Sequence, residues 1–455
     1  MPNLKRQMSE PHPVSESRPF DVTHRAVLAI ALPMTIAYLS TPLLGIVDTA
    51  VIGQLGRADL LGGIAVGAVV FDFLFTTFNF LRMGTTGQAA QAYGAGDRIG
   101  LNAVLYRSAL IALAAGLAMI VLSAPILALA IGLMGASAAV NTAVSDYFSI
   151  RILAAPAGLL NYVLLGWFLG QGQARKALIL QLLLNISNIA FSAYFVLVLD
   201  MGVAGVAWGT VLSQAITLVA GAALAYAALA GDLTFPTAVV FARDRLLRTF
   251  ALNRDIMIRS FSLLVTFALF TSAGARQGDV VLAANAVLMN FFMLASFFLD
   301  GTATAAEQLA GRAIGANYRP AFVKAVRLSC GWGLAIAAVL SLVLYGAGPV
   351  LIDLITTSPE VRETARTYLI WAALTPLFGV MAFQLDGVFI GATWSDDMRN
   401  MMLVSLVAYV VVWALATPVL GNHGLWLALA TFLAVRGATL ALRYPVRLAR
   451  SFSSA

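Results

Sequence analysis

Apolar stretches of about twenty residues, the length that carries a helix across the hydrocarbon of a bilayer, recur along the whole of this chain. They run over residues 27–52, 61–84, 104–130, 143–169, 177–199, 203–230, 256–275, 281–308, 326–353, 364–391, 399–420 and 424–446. Of the 455 residues, 60% are hydrophobic and only 11% are charged, too few to solvate a soluble body that hid such runs in cores. The pattern predicts an all-α polytopic membrane protein with about twelve transmembrane helices, its partner being the lipid bilayer itself.

Several chemistries are excluded at once. The net charge of +7 sits in short connections, with no stripe of interleaved Arg and aromatic residues, so it does not point to nucleic acid. The single Cys330 allows neither an internal disulfide nor a cysteine-based metal cluster. His12, His24 and His423 fall in a tail, at a helix edge and in a loop, so no His-ligated metal is expected. The chain carries no Walker A lysine, no zincin helix and no serine elbow with a matching His, so neither an enzyme nor an ATP-driven pump is indicated. No cofactor is expected, and an ion gradient is the remaining energy source.

Basic residues set the orientation. With the N-terminus inside, the cytosolic segments hold most of the Lys and Arg, including Arg98, Arg175, Lys176, Arg245, Arg248, Arg312 and Lys324. The outer loops hold only Arg57, Arg276, Arg362 and Arg366. Both termini are therefore expected in the cytosol, from the inner (plasma) membrane of the cell. The longest connection, 231–255, divides the chain. The expected organisation is a polar tail (1–25) without a signal-peptide core, an N-lobe (26–230), a cytosolic linker (231–255), a C-lobe (256–446) and a short tail (447–455). The arginine cluster of the linker reads as a topology anchor near anionic lipid.

The two halves repeat. Ala65-Val66 opens a run that ends near Gly94, and Ala286-Val287 opens one that ends near Gly315. The Gly-containing segment 165–170 matches 386–391. Each pair (65 and 286, 94 and 315, 166 and 387) is separated by 221 residues. Six helices per copy return the chain to the same side, so the copies are parallel, as in carriers whose halves rock about an axis along the membrane normal.

One carboxylate stands out. Asp48 lies inside the first apolar run with no basic residue within about two helical turns. An ionised group in hydrocarbon costs several kcal/mol or more, so it must face protein, water or a cation. It is the leading candidate for ion coupling. The same half carries Asn161, Asn185, Asn188, Ser192, Thr210 and Gln214 at depth, a polar N-lobe set of hard oxygen ligands suited to a proton site or a weak Na⁺ site formed by Asp48, Asn188 and Thr210. Taken singly, such residues are more often helix-packing glue. Pro33 and Pro42 each remove a backbone hydrogen bond from the first helix and predict a kink there. In the second half, Asp300, Glu307 and Asp386 form either a second acidic site or pairs with Arg82, Arg259 or Arg312. Arg151 is a candidate partner for an outer-side acid. The central cavity is expected to be apolar and aromatic, with Phe71, Phe73, Phe291, Phe292 and Met293 available.

These residues carry a resemblance. Leu32-Pro33, Gly45-Ile-Val-Asp-Thr-Ala-Val-Ile-Gly53, Phe80-Leu-Arg-Met-Gly-Thr-Thr-Gly-Gln-Ala-Ala-Gln-Ala92, Leu164-Leu-Gly-Trp-Phe-Leu-Gly170 and Leu385-Asp-Gly-Val-Phe-Ile-Gly-Ala-Thr393 resemble the multidrug and toxic compound extrusion (MATE) family, and its DinF-like branch in particular. The resemblance spans residues 22 to 446. It implies two six-helix lobes that open alternately to each side, and export of small cationic or amphipathic compounds in exchange for H⁺ or Na⁺. It makes Asp48 the coupling residue. The family pattern in the fifth helix is Asn, three residues, Asp; Asn188 matches, but the Asp position is Ser192. Two adjacent carboxylates share a proton and bind Na⁺ well. Asp48 alone lacks that coupling, so H⁺ is favoured. The expected function is a proton-coupled efflux antiporter working as a monomer. The alternative is a flippase for a lipid-linked glycan, which would need several cavity Arg or Lys for a pyrophosphate. A non-transporting receptor would need no polar cluster at depth.

Overall fold

The computed structural model describes residues 17–134, 137–229 and 235–452. The tail residues 1–16 and 453–455, and residues 231–234 of the expected linker, lie outside the described residues. Among the described residues, twelve helices are long and apolar enough to span a membrane. In chain order they are α1 (His24–Gly53), α2 (Leu60–Ala95), α3 (Arg98–Val121), α4 (Ala138–Gly170), α5 (Ala174–Leu197), α6 (Gly202–Ala228), α7 (Arg243–Ala275), α8 (Asp279–Gly315), α9 (Arg319–Ile355), α10 (Pro359–Gly391), α11 (Ser395–Leu420) and α12 (Asn422–Ser451).

Local chemistry sets several boundaries. Thr23 Oγ1 caps α1 by accepting from Ala26 N–H at 3.2 Å, and Asp97 caps α3 by accepting from Gly100 N–H at 2.7 Å. Gly96 adopts φ +67° between α2 and α3, a left-handed turn that favours glycine. α4 is interrupted by a 3₁₀ turn at Ile152–Ala154 just before Pro156, whose ring lacks the N–H that a continuous helix needs. α2 breaks at Phe78 and Asn79. α1, by contrast, runs unbroken through Pro33 and Pro42.

Two helices run past the boundaries that hydropathy alone suggests. Residues 243–255, assigned above to the linker, form the opening turns of α7. This stretch alternates Arg and Asp with Leu, Ala and Phe, good helix formers whose charge hides them from an apolar window. α12 likewise runs through Arg447 to Ser451, into the expected tail.

The repeat reappears as backbone contact. A methyl at Gly166 would stand 2.5 Å from the Arg82 carbonyl, and one at Gly387 would stand 2.3 Å from that of Ala303. These are the same contact displaced by 221 residues: α4 on α2 in the N-lobe (α1–α6), α10 on α8 in the C-lobe (α7–α12). Between lobes, Gly94 lies against the Arg312 carbonyl and Gly315 against the Gln91 carbonyl, at 2.0 and 1.9 Å from an added Cβ. These two are also related by 221. Each lobe then sends a glutamine across: Gln91 Nε2 donates to Gly391 O at 2.9 Å, and Gln308 Nε2 to Gly170 O at 3.3 Å. The lobes are thus sealed together on the face that carries the chain ends, the terminal face. The α8 segment from Gly301 to Gly311 is buried throughout.

Candidate functional site

Beyond the seal, the lobes separate around a central cavity of about 490 Å³. Its N-lobe wall includes Tyr38, Thr41, Asp72, Asn79, Arg82, Arg151, Tyr162, Thr210 and Gln214, and its C-lobe wall Arg259, Phe297, Asp300, Thr304, Glu307, Phe383 and Asp386. Tyr38 and Thr304 join the walls through a hydroxyl–hydroxyl hydrogen bond of 3.0 Å.

The N-lobe side is built on α1, α5 and α6. Asp48 is half-buried in the last two turns of α1 and faces Ser192, with Arg151 acting on it through space. Its Oδ1 is buried and accepts no hydrogen bond. Ser192 and Asn188 are four apart on α5 and share a face. Asn188 Nδ2 donates to Thr210 Oγ1 at 3.0 Å and to Ser213 Oγ at 3.5 Å. Asn188 Oδ1 and Ser192 Oγ are buried and unpartnered too. Three oxygens in one cluster therefore have unused lone pairs. Gly209 makes the cluster possible, because a methyl there would stand 2.8 Å from Ser192 N and Oγ. Arg151 itself is occupied: its guanidinium lies 4.5 Å from the Phe71 ring centre and donates to the Tyr147 hydroxyl.

The C-lobe side is a charge network. Buried Asp386 on α10 accepts from Arg259 of α7 and from Arg436 of α12, both also buried. Glu307 lies 3.9 Å from Arg82, a contact that crosses the lobe boundary. Arg82 also donates to Asn79 at 3.3 Å. Asp300 stands on the same α8 face as Glu307, two turns away.

Several sequence expectations are thereby placed. Of the N-lobe set, only Thr210 and Gln214 line the central cavity. Asn188, Ser192 and Thr210 form one cluster with Asp48. Asn161 pairs instead with Gln214, donating to its Oε1 at 2.7 Å. Asn185 departs from the cluster despite its spacing, donating to Ser40 of α1 at 2.7 Å. Asp300, Glu307 and Asp386 do share one wall, and two of the three are paired with arginine.

The cavity does carry aromatic side chains, among them Phe71, Phe75, Phe297 and Phe383, but four of the five residues expected there lie elsewhere. Phe71 lines it, but Phe73 and Met293 are about half exposed on the outside, and Phe291 and Phe292 are buried in the C-lobe core. The walls also carry charge, because Arg82, Arg151 and Arg259 reach inward. Tyr38 and Tyr162 escaped the sequence reading. The signal for Tyr38 was its place one turn before Pro42, where a carbonyl is released.

Two similar lobes of membrane-spanning helices around a charged central cavity define a two-lobe membrane transporter. The MatE family model matches the chain twice, at residues 33–194 and 255–416. The chain is 42% identical to DNA damage-inducible protein F of Escherichia coli K12 over 92% of this chain and 91% of that one. It is 27% identical to a probable multidrug resistance protein NorM of Deinococcus radiodurans, covering 93% and 95% of the two chains. Its fold matches a MATE structure in the bent conformation (TM-score 0.85, 19% identity, 94% and 96% covered) and an outward-facing MATE family transporter (TM-score 0.83, 19% identity, 94% and 97% covered). The chain belongs to the multidrug and toxic compound extrusion family, whose members are transporters and not enzymes. The two model matches, one per lobe, coincide with the internal repeat.

Proposed function

We propose that this protein exports small cationic or amphipathic molecules in exchange for protons, with Asp48 as the coupling group. The observation that carries the reading is the Asp48 cluster: one carboxylate inside a membrane helix, with no arginine in contact, whose own Oδ1 and the neighbouring Asn188 Oδ1 and Ser192 Oγ are unpartnered. A second carboxylate, which Na⁺ would favour, is replaced by Ser192. In the cycle, deprotonated Asp48 accompanies substrate binding from the cytosol. The lobes then rock outward, protonation of Asp48 releases substrate, and the proton leaves to the cytosol on return. Coupling requires that proton and substrate exclude one another. The concentration of Lys and Arg at the terminal face supports cytosolic termini in the inner membrane. Each lobe contributes a full cavity wall, which supports action as a monomer.

The test is dye efflux from inverted vesicles under an imposed pH gradient or an imposed Na⁺ gradient, wild type against Asp48→Asn. Flux driven by the pH gradient and lost in the variant is expected. Undiminished export by Asp48→Asn against a gradient would sink the reading. A glycan-lipid flippase is the second reading, and the observation that favours it is the presence of Arg82, Arg151 and Arg259 on the cavity wall. Their engagement with Glu307, Tyr147 and Asp386 leaves them poorly disposed to hold a pyrophosphate.

A further inference from the structure

A second cavity, of about 700 Å³, opens on the terminal face, on the other side of the seal from the transport site. Its walls come from both lobes: α2 and α3 on one side, and α7, α8 and the α10–α11 turn on the other. Its charge is uneven in a specific way. The three carboxylates there are all engaged. Asp97 caps α3, Asp255 accepts from Arg254, Arg399 and Ser395, and Asp396 accepts from Arg447. Arg107, also on the wall, is buried and spent on the carbonyls of Val240 and Val239, at 3.1 and 2.8 Å. That clasp fixes the short helix Thr237–Val240 against α3 and so places the start of α7 over the cavity.

Arg245 and Arg248 remain. Both line this cavity, both are exposed, and neither guanidinium has a carboxylate or carbonyl partner among the described residues. They lie on the same α7 face as Leu252 and Asp255. The opposite face of these turns shows Leu247 and Phe250, with Phe241 just before them, each more than half exposed. α7 has 33 residues and so is about 50 Å long, against about 30 Å of hydrocarbon. Its first turns therefore lie at headgroup level, apolar side toward lipid and arginines toward the cavity.

We propose that this cavity binds a phosphate-bearing ligand through Arg245 and Arg248, and that its source is the headgroup of an anionic phospholipid. Guanidinium forks match phosphate oxygens in geometry and charge. These turns lie at headgroup level, with Leu247 and Phe250 toward lipid on the other face, so the phosphates nearest the cavity are those of the bilayer. Because both lobes supply walls, the ligand binds this sealed arrangement better than one in which α2 and α7 move apart.

The test uses the purified full chain in uncharged detergent, titrated with short-chain phosphatidylglycerol or with phosphatidylcholine of the same chain length. Binding is read by thermophoresis, with inorganic phosphate as competitor. Phosphatidylglycerol should bind at least about tenfold more tightly than phosphatidylcholine, and Arg245→Gln with Arg248→Gln should remove most of that preference. A control pair, Arg243→Gln with Arg175→Gln, loses the same charge outside the cavity and should keep the preference. Displacement by inorganic phosphate at equal concentration would keep the site and overturn the lipid source. Equal loss in the control pair, or no preference between the lipids, would overturn the site itself. The substituted arginines are exposed and unbonded, and an unchanged elution profile verifies that the variants fold.

Discussion

The two lobes repeat each other's backbone contacts and differ in their charges. Glycines 166 and 387, and 94 and 315, make matching contacts 221 residues apart. At the same offset, Asp48 corresponds to Leu269, Asp386 to Leu165, Glu307 to Thr86 and Arg151 to Ala372. The N-lobe holds a carboxylate that no arginine touches. The C-lobe holds one gripped by two. Packing geometry belongs to the repeated plan, and the electrostatics were added to each copy separately. A buried acid with two guanidinium partners is held in one charge state and one position. A buried acid facing hydroxyls and amides is free to change its proton. On the proposed mechanism, Asp386 is the structural acid and Asp48 the coupling one.

The sharpest way to break that assignment is to remove each acid in turn. Asp386→Asn leaves Arg259 and Arg436 buried beside a neutral group, and breaking such a pair costs about 3–5 kcal/mol. A large fall in the melting temperature of the detergent-solubilised protein is expected. Asp48→Asn removes a charge with no cation in contact, so its stability should change by less than about 1 kcal/mol while gradient-driven flux is lost. Equal melting losses in the two variants would mean that Asp48 is structural as well.

The shared plan can be tested through its glycines. In Gly315→Ala the methyl would stand 1.9 Å from the Gln91 carbonyl, which is backbone and cannot swing away. The lobes must shift, at a cost of about 1–3 kcal/mol, and flux should fall because the terminal face no longer seals. Gly331→Ala has nothing within 4 Å of the added carbon and is the control. It should be neutral or stabilising by up to about 1 kcal/mol, since alanine favours helix. Melting curves of the two variants decide the matter.

Much of this was legible in the sequence, for definable reasons. The twelve spans follow from apolar length, the repeat from three equal offsets, and the prominence of Asp48 from its isolation in an apolar run. What was legible only in part is pairing at long range: Arg82 and Arg259 were among the offered partners of the acids, but which acid each meets, and that Arg436 joins them, was not. Asp386 meets Arg259 and Arg436 from two other helices, 127 and 50 residues away, and no local period encodes such a meeting. For the same reason the polar N-lobe set read from sequence includes Asn185, whereas the approach of α1 turns it toward Ser40.

A third variant sharpens the contrast within the N-lobe. Ser192→Asp would set a second carboxylate beside Asp48, in the cluster that already includes Asn188 and Thr210. Two acids at that distance share one proton or hold one cation. Flux in this variant should acquire a dependence on Na⁺ that the wild type lacks, read in the same vesicles with sodium replaced by choline. Unchanged insensitivity to Na⁺ would show that the identity of residue 192 does not set the ion.

The smallest expected effect concerns the segment that straps the lobes at the terminal face. Arg18 N–H donates to Ala316 O at 3.0 Å, the Arg312 guanidinium sits 4.0 Å from the Phe20 ring centre, and Lys324 donates to Asp21 at 2.6 Å. Phe20 and Asp21 thus dock on the C-lobe, while the Arg18 guanidinium fills the space in front of Gly96 in the N-lobe. The hydrogen bond and charge of Lys324 hold the Asp21 carboxyl below its ordinary range. A lowered folded pKa stabilises the folded contact fully above the unfolded carboxyl's value, about 3.9, and the contribution is lost as pH falls through the lower folded value. Hydrogen exchange over residues 18–23 should therefore quicken on acidification in that window. Lys324→Gln should remove the pH step and leave exchange uniformly faster. The pair is exposed, so high salt should mimic the variant in part. A step that survives in Lys324→Gln would move the strap's hold to Arg18 and Phe20, whose contacts do not titrate there.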